Sequence, residues 1–130
     1  RLDSKDSSGK VDRWQKIALE AARQSGRGIV PKISNPISYK QAIEDAGKLD
    51  MTLFLWEDEH SCSIKQALED TSKNQTSVGV VIGPEGGFSQ EEADQAVSGG
   101  CKRVTVGPRI LRTETAGPAA IAMIMYSFEL

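Results

Sequence analysis

The sequence predicts an α/β domain with a mainly parallel sheet flanked by helices, and three observations carry that prediction. Short apolar runs alternate along the chain with stretches whose apolar residues recur at helical spacing. Val78, Val80, Val81 and Ile82 fall in one unbroken apolar run of branched residues, the pattern of a parallel strand buried on both faces. Two of these runs lead straight into turns rich in Gly and Pro, at 83–89 and 107–113. Loops at the carboxyl ends of parallel strands are where α/β proteins bind ligands.

Residues 1–10 are small and polar and predict a frayed, flexible lead-in. Val11, Trp14, Ile17, Ala18, Ala21 and Ala22 then recur on one face of a helix, which Gly26 or Gly28 can stop. The stretch 29–33 reads as a short strand, with Pro31 arguing for an edge or a strand end. Ser38-x-x-Gln41 has the form of a capping box and opens a helix through Ile43 that ends at Gly47. Residues 51–56 (MTLFLW) form a buried-type strand, followed by the acidic turn Glu57-Asp58-Glu59-His60. Ser63-x-x-Gln66 starts a further helix, and the strand at 77–82 comes next. Ser89-x-x-Glu92 caps a helix that Gly99-Gly100 ends, and 104–106 is the fourth strand. Thr113 or Thr115 caps the last helix, with Pro118 in or near its first turn.

That helix differs from the others, because 119–126 is apolar all the way round. One core in a chain of 130 residues can hardly bury every side of it, so a second copy of the chain is expected to cover the remainder.

The totals narrow the function classes. The length suits one domain, and a hydrophobic fraction of 38% with 26% charged residues suits a soluble globule. No apolar run reaches the roughly eighteen residues of a membrane span. No signal peptide is visible, although a segment could precede Arg1. Cys62 and Cys101 have neither metal-ligand nor disulfide spacing, so a reducing compartment is the simplest reading. The net charge is only −2, but bases outnumber acids in 1–28 and in 99–115, whereas 44–70 is acidic. Two basic stretches brought together would suit phosphates; on charge alone, solvated helix surface is the plainer account.

The GPEGGFS turn is neither a Walker A loop nor a Rossmann fingerprint. Gly83, Gly86 and Gly87 still leave backbone amides open to a flat polar group such as an adenine edge, and Pro84 stiffens the bend. A tight connection would explain one glycine and the proline, not three glycines and Glu85, which reads as buried. In GPRILRTET, Arg109 and Arg112 flank Ile110 and Leu111, so apolar side chains can lie on a ring while guanidinium groups reach phosphate or a developing anion. Glu114 also suits a helix start. His60 among acids lacks a second nitrogen or sulfur ligand, so a solvated acidic loop is expected there and no metal. No Ser/His/Asp or Cys/His constellation is present.

IGPEGGFS at 82–89 followed by VGPRILRTETA at 106–116 resembles the signature of the RsmE family, and EAARQSGRGIVP at 20–31 is similar to that family's helix-to-strand passage. These are trefoil-knotted (SPOUT) methyltransferases of a uridine imide nitrogen in small-subunit ribosomal RNA. The resemblance covers about 11–130 and implies a C-terminal trefoil knot, S-adenosylmethionine as cofactor, and a homodimer through the last helix. It implies cofactor contacts from Leu55, Trp56 and Glu57, from Ile82, Gly83, Pro84, Glu85 and Gly86, and from Val106, Gly107, Ile110, Leu111 and Thr113. Arg112 would stabilise the uridine anion and Glu114 is a candidate base. Arg109 would contact phosphate, with Arg13, Arg23 and Arg27 on the RNA backbone. The family's N-terminal RNA-binding barrel has no counterpart here, which suggests a catalytic-domain fragment. Val106 stands where Leu is common, a mild change. A bacterial cytoplasm, or an organelle with its own ribosomes, is the implied setting. The rival readings are a knotted enzyme acting on a transfer-RNA ribose hydroxyl and a non-catalytic RNA-binding module.

Overall fold

A computed structural model describes residues 4–71 and 74–128. The chain divides into two compact units, Arg1–Ser38 and Tyr39–Leu130.

The first unit is helix α1 (Ser4–Gln24) followed by an irregular passage. The helix takes in most of the stretch expected to fray, because elongating an existing helix adds a hydrogen bond per residue and Gly9 alone does not break it. Gly26, at φ 71°, ends the helix as expected, with the amide of Arg27 bonded to the carbonyl of Ala22 at 2.8 Å. The strand expected at 29–33 does not form. Gln15 replaces a neighbouring strand there: its side-chain amide donates to the carbonyl of Pro31 at 2.9 Å and accepts from the amide of Ile33 at 2.8 Å.

The second unit runs α2 (Tyr39–Ala46), β1 (Met51–Leu55), α3 (Ile64–Glu69), β2 (Val78–Val81), α4 (Gln90–Ser98), β3 (Lys102–Val104) and α5 (Thr113–Phe128). The three strands form a parallel sheet in the order β2-β1-β3, with Leu53 opposite Val80 on one side and Lys102 on the other. The buried strand is the central β1, from Met51 to Phe54, whereas β2, expected to be covered on both faces, is an edge and only half buried. β3 lies two residues earlier than expected. Its ladder stops at Val104 because Thr105 leaves the sheet and exchanges backbone hydrogen bonds with Cys62 and Ile64 at 2.9 and 2.8 Å.

Each face of the sheet has its own core. Met51, Leu53 and Val104 pack with Ile64, Ala67 and Leu68 of α3 and Ala120 and Ile124 of α5. Phe54 and Trp56 pack with Ile43 of α2, Ala93 and Ala96 of α4, and Cys101. The capping box at Ser89 is complete, with both reciprocal hydrogen bonds to Glu92 formed, and the Ser63 hydroxyl accepts from the amide of Gln66. α5 buries Ala116, Gly117, Ala120 and Ile124 but exposes Ile121, Met123, Met125 and Tyr126, so its apolar circumference is half uncovered. No described helix is long and apolar enough to cross a membrane.

The ends of α2 and α4 meet backbone to backbone. A Cβ on Gly47 would sit 2.1 Å from the carbonyl oxygen of Gly99, where no side chain can yield. Gly47→Ala is therefore expected to destabilise the fold by about 2–3 kcal/mol through overpacking, read from the urea midpoint. An unchanged midpoint would refute this close approach.

Candidate active site

Because the three strands are parallel and adjacent, the loops that follow them leave from one edge of the sheet. Those loops line a single cavity of about 560 Å³ built from residues between Leu55 and Ala116. That volume lies within the roughly 300–1,000 Å³ typical of small-ligand sites.

The first loop follows β1. Trp56 extends the ladder, its amide donating to the carbonyl of Val104 at 3.2 Å, and its indole N–H donates to the carbonyl of Phe88 at 3.0 Å. Trp56 thereby joins the first loop to the second. In the second loop, the amide of Gly87 closes a turn on the carbonyl of Pro84 at 2.8 Å. Gly87 needs to be glycine, since its φ is 72° and a Cβ would lie 3.0 Å from the Glu57 carboxylate. Gly83 lies against Phe88, whose ring packs on Phe54 with centroids 4.3 Å apart. In the third loop, the Thr105 hydroxyl donates to the carbonyl of Gly107 at 2.9 Å. The Thr113 hydroxyl donates to the carbonyl of Gly83 at 3.1 Å, tying the start of α5 to the second loop.

Of the residues singled out from the sequence, Leu55, Trp56, Glu57, Ile82, Gly83, Pro84 and Glu85 line the cavity, as do Val106, Gly107, Arg109, Ile110, Leu111, Arg112, Thr113 and Glu114. Gly86 does not line it, and Gly87 does. Arg13, Arg23 and Arg27 are exposed residues of the first unit, outside the cavity lining, and Arg23 pairs with Glu20 at 3.0 Å. His60, read as part of a solvated loop, is exposed but contributes to the wall, as does Phe88. Among the described residues no group of three or more His, Cys, Asp or Glu gathers as metal ligands.

The buried acid is Glu59, not Glu85, which is exposed. One Glu59 oxygen accepts from the Ser61 hydroxyl and from the amides of Ser61 and Cys62, and the other faces Arg103 at 3.6 Å. The Ser61 hydroxyl above all, then those amides and the Arg103 charge, hold the Glu59 carboxyl below the usual glutamate range against the opposing effect of burial. Nothing in a run of three acids distinguishes the one that folds inward. The downstream pair Ser61-Cys62, whose donors turn back on it, is the only local signal.

Residues 1–125 match the model of a family described as RNA methyltransferase domain. The chain is 39% identical over 113 residues to the ribosomal RNA small subunit methyltransferase E of Mesomycoplasma hyopneumoniae (strain 232), covering 87% of this chain and 47% of that protein. It is 35% identical over 133 residues to the protein of that name from Bacillus subtilis (strain 168), covering 100% of this chain and 52% of the relative. The ribosomal RNA small subunit methyltransferase E of Neisseria gonorrhoeae, solved bound to S-adenosyl methionine, superposes with a TM-score of 0.82 at 35% identity, over 92% of this chain and 48% of that one. The chain thus spans about half the length of the relatives it matches, and these relatives agree with the resemblance carried by the two loops.

A carboxylate whose folded pKa is depressed stabilises the fold above its unfolded pKa, and that contribution is lost as pH falls through the folded value. Glu59→Gln is expected to lower the thermal midpoint at pH about 7 and to flatten its fall below pH about 4.5, where the parent loses the ionised Glu59. Thermal melts from neutral to acid pH test this; parallel curves for parent and variant would remove Glu59 as the source.

Proposed function

The chain belongs to the RNA methyltransferase domain family, and from that premise we propose that it transfers a methyl group from S-adenosylmethionine to a uridine imide nitrogen of small-subunit ribosomal RNA. The observation that carries the proposal is the meeting of three strand-end loops at one cavity, with two guanidinium side chains, Arg109 and Arg112, in its lining.

The cavity suits the cofactor by size and by chemistry. Leu55, Ile82 and Leu111 offer apolar surface for a purine, glycine backbone lets a ligand approach closely, and the Glu57 and Glu85 carboxylates suit a cation. Bound there, S-adenosylmethionine supplies an electrophilic methyl group on a sulfonium. The chain must supply the rest. A uridine imide nitrogen carries its proton at neutral pH, so the reaction needs that proton accepted and the resulting anion stabilised. Arg112 is assigned the anion. Its side chain is exposed, so its charge gains strength only when RNA covers the site and excludes water. Arg109 is assigned to phosphate. Glu114, in the first turn of α5, is the candidate proton acceptor, with solvent the other. Arg13, Arg23 and Arg27 are assigned to the RNA backbone, where they would strengthen binding without choosing the base.

The C-terminal knot belongs to the same proposal. It is supported by the Thr113–Gly83 hydrogen bond and by the packing of Gly117 against Ile82, where a Cβ would approach to 3.0 Å, which hold the last helix close to the second loop. Homodimerisation through α5 is likewise proposed, on its exposed stripe of Ile121, Met123, Met125 and Tyr126. The relatives' names point to ribosomal RNA, which favours a bacterial cytoplasm as the setting.

Nucleoside mass spectrometry of treated small-subunit RNA is expected to find a methyl group on the uracil base; one on ribose would replace the substrate assignment. Arg112→Ala should cut turnover about 10²–10³-fold while changing the calorimetric Kd for S-adenosylmethionine less than about threefold. Equal loss of both would move Arg112 into the cofactor pocket. By sedimentation, the parent is expected to be a dimer at micromolar concentration and Ile121→Glu a monomer, and a monomeric parent would end the dimer assignment.

A further inference from the structure

Among the described residues of the second unit, Arg103 is the basic side chain drawn into a partly buried network, and it lies outside the cavity lining. It projects from β3, the strand that feeds the third loop. Its guanidinium carbon stands 5.4 Å from the centroid of the Trp56 ring, over the ring, in the first loop. Its Nε faces the buried Glu59 carboxylate at 3.6 Å, in the same loop, and its Nη1 reaches Asp94 of α4 at 3.2 Å. α4 is the helix that follows the second loop. One guanidinium thus joins the first loop to the helix that follows the second, and it is carried by the strand that leads into the third.

These contacts are unequal. Asp94 is 62% exposed, so its pair with Arg103 is screened by water and contributes little. Glu59 is 8% exposed at its side chain, so its charge keeps its hold on the cation. The contact with Trp56 uses the electron-rich ring face, and the planar guanidinium suits that face better than an ammonium does. Trp56 is itself a wall of the cavity. Its indole N–H is fixed on Phe88 and its backbone on Val104, and the cation over its face is a further restraint on how the ring lies.

The geometry points to Arg103 as a positioning residue that, oriented by Glu59, presses Trp56 into the shape of wall the ligand meets, and so sets affinity for the cofactor without touching it. This rests on the reading of the cavity as the S-adenosylmethionine site.

The test isolates Trp56 by replacing the other tryptophan, Trp14→Phe, and reads two properties of the whole chain: Trp56 emission with its quenching by acrylamide, and the calorimetric Kd for S-adenosylmethionine. Arg103→Met keeps the apolar stem and removes the guanidinium. It should shift the Trp56 emission maximum, raise quenching, and weaken cofactor binding by about fivefold or more, the scale of a lost ring–cation contact. Arg103→Lys should fall between, and Asp94→Asn should match the parent in both readouts. Unchanged Trp56 emission with Arg103→Met overturns the proposal, whether or not Kd moves. If emission shifts but Kd does not, the clamp has no role in affinity and the proposal also falls. A parent that binds no S-adenosylmethionine would overturn the reading of the cavity instead, and the emission and quenching results would then decide the clamp alone. Should Arg103→Met fail to fold by circular dichroism, Glu59→Gln, which removes the charge that orients the arginine, is held to the same outcomes.

Discussion

The parallel pairing of β1 with both of its neighbours is the constraint from which the site follows. A parallel ladder forces each strand to be reached by a crossover, and in this chain α3 and α4 serve as crossovers between consecutive strands. The strands then all finish at the same edge, so their loops converge whatever residues they carry. What the loop residues decide is how closely the loops can approach. Gly83, Gly87 and Gly117 leave room where a side chain would meet Phe88, Glu57 or Ile82, and hydrogen bonds from Trp56 and Thr113 to the second loop lock the approach.

Polar groups near the cavity divide by environment rather than by sequence. Glu57, Glu85, Glu114, Arg109 and Arg112 are exposed and open to a partner. Glu59 and Arg103, only a few residues from them, are turned inward and satisfied by the protein itself. Chemistry facing solvent and scaffolding facing the core are therefore interleaved along the same short segments. Substitutions at neighbouring positions are bound to have consequences of different kinds.

Much of this was legible beforehand, and the reasons are local. The Ser89 capping box, the glycine stop at Gly26 and the α/β alternation depend on residues within a few positions of one another, so the sequence carries them directly. The convergence of the two glycine-rich turns was legible because parallel topology leaves no other arrangement. What escaped depended on distant partners. A branched run such as 78–81 looks the same in a central strand as in an edge strand, and only the position of β1 separates the two. The stretch 29–33 has strand-like residues, but Gln15 supplies the hydrogen bonds a neighbouring strand would have made. Lys102 and Arg103 hid the true extent of β3 because charged residues rarely mark a strand, and Arg103 is tolerated there because Trp56 and Glu59 receive it. Glu59 could not be told from Glu85 by composition, since burial is a property of the loop's path.

The third wall of the cavity is fastened differently from the other two. Its polypeptide is gripped at its ends, by the Thr105 hydroxyl on Gly107 and by the carbonyl of Arg112, which accepts from the amides of Thr115 and Ala116. Between those anchors Ile110 stands 76% exposed. Among the described residues, the hydrogen bonds of this span lie at its ends, so its amide hydrogens are expected to exchange faster than those of the sheet. A molecule that settles against it would have to order it, and the free energy of that ordering would be subtracted from affinity.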